Sequence, residues 1–234
     1  MTSANEKGRC ELRPIAYIRT PYKDNFGVPR QSGMVRHTVS RVEFTPEFRD
    51  GAALRGLEEF SHVWLIWQFS EHVEQGWSPT VRPPRLGGNE RRGVFATRSP
   101  FRPNPLGLSS VRLVRLEKRP NLGTVLVVAG ADLMDGSPIY DVKPYLSFTD
   151  SHPEAKNGFA ADHADERLPV EFPEELLCRI PEEKRPALLA SLSLDPRPGY
   201  LAGRRDPYGF AYAGVDVRFF VEDGVVKVFD VVIP

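Results

Sequence analysis

The chain has 234 residues, of which 41% are hydrophobic and 26% charged, and its formal net charge at pH 7 is zero. This length suits one core with a smaller appended unit, while the lack of a long apolar run or a secretory signal predicts a cytoplasmic protein without a membrane anchor. The two cysteines, Cys10 and Cys178, have no metal-type spacing around them, which favours reduced thiols over a disulfide framework or a zinc site.

The first 150 residues are predicted to be mainly β-structure. Short runs rich in β-branched and aromatic residues occupy 13–20, 34–44, 60–69, 93–98, 109–118, 123–133 and 138–146. A helix is predicted over 45–60, with Thr45 as its N-cap and Pro46 at its first position. Strands with this spacing favour a closed or nearly closed antiparallel sheet, so the fold class predicted for residues 1–150 is a β-barrel domain.

The rest of the chain is predicted to be a linker followed by a small α+β domain. Residues 151–170 are polar and irregular in pattern, which is typical of a linker. Within 171–234, apolar residues at helical spacing predict two short helices broken at Pro181. Two alternating runs around Glu222, Asp223 and Gly224 then predict a β-hairpin.

The zero net charge hides a strong asymmetry along the chain. Residues 81–120 contain ten basic residues and two acidic ones, a balance of +8, whereas residues 151–195 have a balance of −5. Arginine accounts for 24 of the 31 basic residues, and arginine grips phosphates bidentately and stacks on bases. Nucleic acid is therefore one candidate partner, and an ordinary solvated face is the alternative.

The basic region contains the stretch "ATRSPFRPNPLG", residues 96–107. Proline fixes its own φ and pushes the preceding residue out of the α region, so Ser99, Arg102 and Asn104 are expected to be extended and a helix is excluded. Alternation then places Arg98, Arg102 and Asn104 on one edge of a stiff loop. This pattern predicts preorganised binding of an anionic or planar group, with a solvated surface turn as the alternative.

Two further proline-stiffened loops carry an arginine: "PRQSG" at 29–33 and "DPRPGY" at 195–200. In "DLMDGSPIYD" a turn at Asp135 offers a carboxylate and backbone amides, although Asp-Gly is also ordinary hairpin chemistry. No nucleotide-binding fingerprint is present. Trp64 and Trp67 are predicted to be core or wall residues, with base stacking as the lesser alternative. Together the loops predict a cleft for an anion-bearing small molecule beside an arginine-rich face.

The same segments carry a resemblance to a known family. In order, "PYKDNFGVPRQSG", "LRGLEEFSHVWLIW", "VRPPRLGGNERRGVFATRSPFRPNPLGLS", "DLMDGSPIYDVKPYL" and "DPRPGY" resemble the TsaA/TrmO family of bacterial S-adenosylmethionine-dependent tRNA methyltransferases over essentially the whole chain. The resemblance implies a β-barrel methyltransferase outside the Rossmann class that is usually a homodimer. It also implies N6-methylation of threonylcarbamoyl-adenosine beside the tRNA anticodon, with the 171–234 domain as a candidate tRNA contact.

The resemblance further implies which residues bind S-adenosylmethionine. Those residues are Pro29, Arg30, Gln31, Ser70, Glu71, Arg98, Leu108, Asp135, Gly136, Ser137 and Pro138. Ser70 and Glu71 differ from the family pattern, so a backbone contact is expected there. Arg91 and Arg92 are expected to contact tRNA. The general base stays open between Asp135 and Asp141.

Two other functions remain compatible with the residues. One is a non-catalytic RNA-binding β-barrel protein, which fits the absence of an obvious base. The other is an enzyme acting on a small phosphorylated metabolite, for which the +8 region would attract the anion.

Overall fold

The fold of the computed structural model is mainly β, as the sequence predicts. The structure describes residues 11–83, 90–163, 166–197 and 206–233, so Cys10 lies outside the described residues. The strands are β1 (Ala16–Arg19), β2 (Val39–Phe44), β3 (His62–Gln68), β4 (Thr80–Val81), β5 (Arg92–Gly93), β6 (Leu106–Arg119), β7 (Gly123–Ala129), β8 (Pro138–Pro144), β9 (Val170–Glu171), β10 (Tyr208–Tyr212), β11 (Val215–Glu222) and β12 (Val225–Val232). The α-helices are α1 (Ser147–Asp150), α2 (Glu174–Leu177) and α3 (Arg185–Ser193).

The larger sheet joins six antiparallel strands in the order β1-β2-β7-β6-β3-β8, and β1 pairs with β8 as well as with β2. Alternation along the strands selects its core, as in β3, where Val63, Leu65 and Trp67 are buried. Each such side chain contributes about 1.5–3 kcal/mol of hydrophobic stabilisation when fully buried. The interior is therefore filled by side chains, and the ligand-binding groups must lie on the connections.

The helix predicted over 45–60 is wrong. The chain instead forms three separate 3-10 turns, Pro46–Phe48, Gly51–Leu54 and Leu57–Glu59. Asp50 begins the second turn by accepting the Ala52 amide, and Gly56, with φ +85°, separates the second turn from the third. These local interruptions outweigh the helical spacing of the apolar residues.

The strand predicted over 93–98 is also wrong in most of its length. Only Arg92–Gly93 is a strand, paired with Thr80–Val81, and Val94–Ala96 forms a 3-10 turn. The hydroxyl and the amide of Thr97 both donate to the Val94 carbonyl and close that turn. The other predicted strands of the first 150 residues are present with shifted ends.

Three connections of the larger sheet lie at one end of it, whereas the β2–β3 connection, residues 45–61, lies at the other. Because β3 is antiparallel to both β6 and β8, its end at Gln68 lies beside the beginnings of those strands. The connections from β1 to β2, from β3 to β6 and from β7 to β8 span residues 20–38, 69–105 and 130–137. We call this the loop end of the sheet.

The C-terminal part of the chain contains a second sheet with the order β10-β11-β12-β9, packed with α2 and α3. The predicted hairpin is confirmed, with Asp223 and Gly224 at φ +52° and +73° between β11 and β12. The predicted break between the two helices is confirmed too, since α2 ends at Leu177 and a 3-10 turn begins after Pro181. None of the helices in the described ranges is long and apolar enough to cross a membrane.

The connection from β1 to β2 packs into this second core. Tyr22 is fully buried there, and its hydroxyl makes hydrogen bonds with Thr38 at 2.8 Å and with Ser191 at 2.9 Å. The Ala211 amide donates to the Asp24 carboxylate at 2.9 Å. The first of the three loops is thus fixed on one side by the C-terminal sheet.

Candidate functional site

The loop end brings together all the residues expected to bind the cofactor. The β1–β2 connection carries Pro29, Arg30 and Gln31, the β3–β6 connection carries Ser70, Glu71 and Arg98, and the β7–β8 connection carries Asp135, Gly136 and Ser137. Pro138 is the first residue of β8, and Leu108 is the third residue of β6. Three stretches that are far apart in sequence therefore meet at one edge of the sheet.

Arg98 and Gln31 form a hydrogen bond between the β3–β6 and β1–β2 connections. Nη1 of the exposed Arg98 donates to Oε1 of Gln31. A second hydrogen bond joins the same two connections, in which Nδ2 of Asn25 donates to Oε2 of Glu71 at 2.6 Å. Guanidinium and amide groups of this kind, held by two loops, can bind a carboxylate or a phosphate.

Arg102 does not share an edge with Arg98, contrary to the expectation from alternation. Its Nη1 donates to the carbonyls of Val94 at 3.0 Å and Thr97 at 2.7 Å, and its guanidinium lies over the Phe95 ring at 5.6 Å. The Arg102 amide also donates to the Pro100 carbonyl at 2.7 Å, which bends the chain back on itself. Arg102 therefore braces the loop, while Asn104 is exposed.

Several groups of the turn at Asp135 are hydrogen-bonded within the protein, so only part of the turn is open for contact with a ligand. Its Oδ1 accepts the Thr20 amide at 3.0 Å, and its Oδ2 accepts Nζ of Lys23 at 2.6 Å. The amides of Asp135 and Gly136 donate to the Tyr22 and Ile18 carbonyls, each at 2.8 Å. Gly136, at φ +81°, has open space where a Cβ would lie, so this face of the turn is accessible.

Arg30 joins the first loop, which also carries Pro29, to the C-terminal part of the chain. Nη2 of Arg30 donates to the backbone carbonyls of Asp195 at 2.8 Å and Arg197 at 3.1 Å. The Arg197 side chain, only 7% exposed, is paired with the Asp195 carboxylate at 2.8 Å. Pro29 is buried. The "DPRPGY" stretch, within its described residues 195–197, thus fixes the position of the loop that carries Gln31.

Leu108 lies on the outward face of β6, opposite Ile66 of β3, and is 58% exposed. At the same end, the Tyr140 hydroxyl donates to Oε1 of Gln68 at 2.7 Å. Burial raises the pKa of Tyr140, and the neighbouring Tyr17 acts in the same direction. These side chains form a mixed apolar and hydroxyl-bearing wall beside the loops.

Asp132 is a functional candidate that the sequence reasoning missed. Ser109 donates its hydroxyl to Oδ1 of Asp132 at 2.6 Å, and Trp67 donates its Nε1–H to the Ser109 oxygen at 2.9 Å. Burial raises the pKa of the Asp132 carboxyl, against the lowering effects of the Ser109 hydroxyl, of the Asp132 and Ser32 backbone amides, and of the Arg98 charge. The available signal was a carboxylate directly after the apolar run of β7, at the end of the sheet.

The basic segment lies next to exposed aromatic side chains on the same β3–β6 connection. Trp77 is 56% exposed and Phe95 is 73% exposed. Nη1 of Arg91 donates to the Thr80 hydroxyl at 2.8 Å, whereas Arg92 pairs with Glu90 at 2.6 Å and lies over the Phe159 ring at 5.7 Å. Arg91 is the more exposed of the two arginines. Positive charge beside open aromatic faces is suited to single-stranded nucleic acid.

The larger antiparallel sheet carries arginine, amide and carboxylate groups on the loops at one end, next to a basic segment, and this arrangement is typical of proteins that bind a small charged ligand. The sequence profile of the tRNA-methyltransferase O N-terminal domain matches residues 17–151, and that of the TrmO C-terminal domain matches residues 165–233. The chain therefore belongs to the TrmO family.

Individual relatives agree with this assignment. The Escherichia coli (strain K12) tRNA (adenine(37)-N6)-methyltransferase is 40% identical over 229 residues, covering 94% of this chain and 96% of its own. An Eikenella corrodens protein of the same name is 45% identical over 167 residues, 71% of this chain and 93% of its own. The crystal structure of TrmO from P. aeruginosa superimposes with a TM-score of 0.76 at 32% identity, covering 97% of this chain and 98% of that one.

Proposed function

We propose that this chain transfers a methyl group from S-adenosylmethionine to N6 of adenosine 37 in tRNA, and that its substrate is threonylcarbamoyl-adenosine at that position. The observation that carries the proposal is the Arg98–Gln31 contact, which joins two proline-stiffened loops at the loop end of a sheet in a TrmO family chain. Relatives named tRNA (adenine(37)-N6)-methyltransferase support the reaction. A 38% identical relative named as a putative S-adenosylmethionine-dependent methyltransferase supports the cofactor.

The groups at the loop end fit this cofactor chemically. The guanidinium of Arg98 suits the carboxylate of the methionyl part, and Gln31 can orient that guanidinium because the two are already bonded. The open face of Gly136 allows close approach of a ligand. The apolar side chains of Leu108 and Ile66 offer a surface for a planar base. We propose that Ser70, Glu71, Ser137 and Pro138 complete the site through backbone and shape.

When bound, S-adenosylmethionine supplies a methyl group on a sulfonium, which is electrophilic without further activation. The protein must then align the acceptor nitrogen, exclude water and take up one proton. Both oxygens of Asp135 accept hydrogen bonds from Thr20 and Lys23, which favours an orienting role for this residue. Asp141, on β8 opposite Ile66, is engaged in a similar way, since its Oδ1 accepts the Val142 amide at 2.8 Å and its Oδ2 pairs with Lys143 at 3.0 Å. Its side chain is 43% exposed against 17% for Asp135, which makes it the more accessible of the two proton acceptors.

The tRNA is proposed to lie along the β3–β6 connection. Arg91 and Arg92 would contact phosphates there, and the exposed rings of Trp77 and Phe95 would stack on bases splayed from the anticodon loop. Trp67 takes no part in such stacking, since it is 5% exposed and bonded to Ser109.

We further propose that the closed sheet functions as a β-barrel methyltransferase domain and that the protein acts as a cytoplasmic homodimer. Light scattering measures the mass of the parent protein in solution, and a monomeric mass would contradict the homodimer.

Thermal unfolding with S-adenosylmethionine separates this function from a non-catalytic RNA-binding protein. A ligand at 100 times its Kd adds about 2.7 kcal/mol to the free energy of unfolding, so a clear rise in Tm is expected. A protein that binds tRNA but shows no rise at saturating cofactor would instead be the RNA-binding alternative.

A further inference from the structure

The beginning of the β1–β2 connection lies along the edge of the C-terminal sheet. Strand β10 is the outermost strand in the order β10-β11-β12-β9. The Ala213 amide, just after β10, donates to the Pro21 carbonyl at 3.0 Å, and Tyr22 forms an antiparallel bridge with Tyr212. An edge strand leaves backbone amides and carbonyls without partners in its own sheet. The connection therefore supplies partners for the outer edge of β10.

The Asp24 carboxylate joins this edge to a tight turn. Its Oδ2 accepts the Ala211 amide of β10 at 2.9 Å. Its Oδ1 accepts the amides of Phe26 at 3.0 Å and Gly27 at 3.4 Å, which closes a turn of the kind that aspartate forms with the backbone two residues further on. We call residues 24–27 the Asp24 turn. One carboxylate thus determines both the shape of the turn and its attachment to β10.

The Asp24 turn also packs against the C-terminal core. A Cβ at Gly27 would lie 2.2 Å from Cδ2 of Phe210, which is 2% exposed, so only glycine allows this close approach. The ring of Phe26 stacks on the ring of Tyr208 with 5.9 Å between their centroids. The turn is therefore fixed on the C-terminal domain by hydrogen bonds and by apolar contact.

Asn25, the second residue of the Asp24 turn, contacts a different loop. Its Nδ2 donates to Oε2 of Glu71 at 2.6 Å. Ser70 and Glu71 begin a 3-10 turn at the start of the β3–β6 connection and belong to the set proposed to complete the cofactor site. A continuous series of hydrogen bonds, with heavy-atom distances between 2.6 and 3.0 Å, therefore runs from β10 through the Asp24 turn to Glu71.

The Asn25–Glu71 hydrogen bond is exposed, and such a bond between two mobile side chains competes with water and contributes little by itself. The Asp24 turn changes this balance, because it fixes the backbone of Asn25 in advance and leaves only the side chains to be ordered. The hydrogen bond to Glu71 is thus strengthened by a residue that does not touch Glu71.

We propose that Asp24 is a positioning residue of the cofactor site, whose carboxylate holds Asn25 against Glu71 and so makes the position of Glu71 depend on the C-terminal sheet. The inference rests on the proposed function for its ligand. Asp24 and Asn25 lie outside the set of residues expected to contact the cofactor. The C-terminal domain, a candidate tRNA contact, thereby also acts on the cofactor site.

The first test compares Asp24→Ala with Asp50→Ala. Asp50 is a matched control at the other end of the larger sheet, where its Oδ1 accepts the Ala52 amide two residues further on at 2.9 Å. Asp24→Ala should raise the Kd for S-adenosylmethionine by about fivefold, the effect of one ordinary hydrogen bond. Asp50→Ala should leave that Kd unchanged. Calorimetric titration well below the Tm of each variant measures both values, and an unchanged Kd in Asp24→Ala or equal losses in the two variants would overturn the inference.

Asn25→Ala separates positioning from a general loss of stability. Asn25 is exposed, so this variant should keep the Tm of the parent chain, and it should also raise the Kd by about fivefold. If Asp24 acts through Asn25, adding Asp24→Ala to Asn25→Ala should raise the Kd no further. Losses that multiply in the double variant would show a merely structural role for Asp24 and overturn the inference, as would a normal Kd in Asn25→Ala.

The two proposals fail in different ways. A parent chain that does not bind S-adenosylmethionine would contradict the proposed function. The ligand-free protein would still test Asp24, because the His72 amide donates to the Phe69 carbonyl at 3.0 Å and its hydrogen exchange reports opening of the turn that contains Glu71. Exchange at His72 should be faster in Asp24→Ala than in the parent chain. Unchanged exchange would contradict the role of Asp24 alone.

Discussion

Nη1 of Arg98 donates to Oε1 of Gln31, although the two residues are 67 positions apart. Arg98 lies in the loop that Arg102 braces, and Gln31 lies in the loop held by the C-terminal sheet. The contact therefore depends on both parts of the chain. It also leaves Arg98 exposed and oriented at the loop end.

Arg98→Ala should weaken the binding of S-adenosylmethionine by about 10- to 100-fold, because a hydrogen bond to a charged group contributes about 1.5–3 kcal/mol. Isothermal titration calorimetry measures the change. Arg112→Ala, at an exposed position on β6 opposite His62, is the matched control and should bind normally. Equal losses in the two variants would contradict a specific role for Arg98.

Arg102→Ala should act through stability. Its guanidinium holds the Val94 and Thr97 carbonyls, so the variant should lose about 2 kcal/mol in free energy of unfolding. Chemical denaturation measures this loss, and Arg102→Lys should not restore it, because one ammonium cannot reproduce the planar guanidinium. A fully stable Arg102→Ala protein would contradict the bracing role.

Arg98 and Arg102 show how much of this loop could be predicted from the sequence. Proline spacing predicted a stiff, non-helical loop, and residues 97–105 form neither helix nor strand. The prolines could not reveal where each guanidinium points, because the partners of Arg102 are carbonyls of a 3-10 turn that was expected to be a strand. In the same way, the Asp50 cap and the positive φ of Gly56 divided a segment whose apolar spacing favours a helix.

Gly107→Ala should disrupt the hydrogen bonds from Trp67 to Ser109 and from Ser109 to Asp132. The added Cβ would lie 2.2 Å from Cε2 of the buried Trp67, and overpacking of this kind costs about 1–3 kcal/mol or more. A lower Tm is expected by calorimetry. Gly93→Ala is the control, since a Cβ there meets nothing within 4 Å, and it should be near neutral. Similar Tm values for both variants would refute the crowding.

Arg91→Ala should weaken tRNA binding and reduce the slope of log K against log salt by about one, as expected for one lost phosphate contact. Arg92→Ala should show a smaller effect, because Arg92 already pairs with Glu90 and lies over Phe159. Filter binding over a range of salt concentrations measures both slopes. Binding of S-adenosylmethionine should not change in either variant. A loss of cofactor binding in these variants would contradict the proposal that tRNA and cofactor are bound by different arginines.

The free energy of unfolding should depend on pH through Asp132. Burial raises its pKa in the folded chain, so the folded form binds the proton more tightly than the unfolded form does. Stability contributed by this group is therefore greatest at low pH and falls as pH rises from the ordinary carboxyl pKa through the folded-state pKa. Asp132→Asn should remove this part of the pH dependence in denaturation curves. If the free energy of unfolding depended on pH identically in the parent chain and in Asp132→Asn, the Asp132 pKa would not be raised.

Asp132 also marks the limit of reading site residues from motifs. The turn at Asp135 attracted attention because Asp-Gly-Ser-Pro has recognisable turn chemistry, yet both of its carboxylate oxygens are bonded within the sheet and its first loop. Asp132 carries no motif of its own. Its partner Ser109, and Trp67, which donates to Ser109, come from strands whose pairing register had to be known before the three could be placed together.

The most direct test of the central claim is methyl transfer by the purified chain. We expect incubation with S-adenosylmethionine and tRNA carrying threonylcarbamoyl-adenosine at position 37 to yield the N6-methylated nucleoside, measured by mass spectrometry after nuclease digestion. The same tRNA with unmodified adenosine 37 should give little product. Absence of the methylated nucleoside from the first reaction, with both ligands shown to bind, would contradict the proposed function.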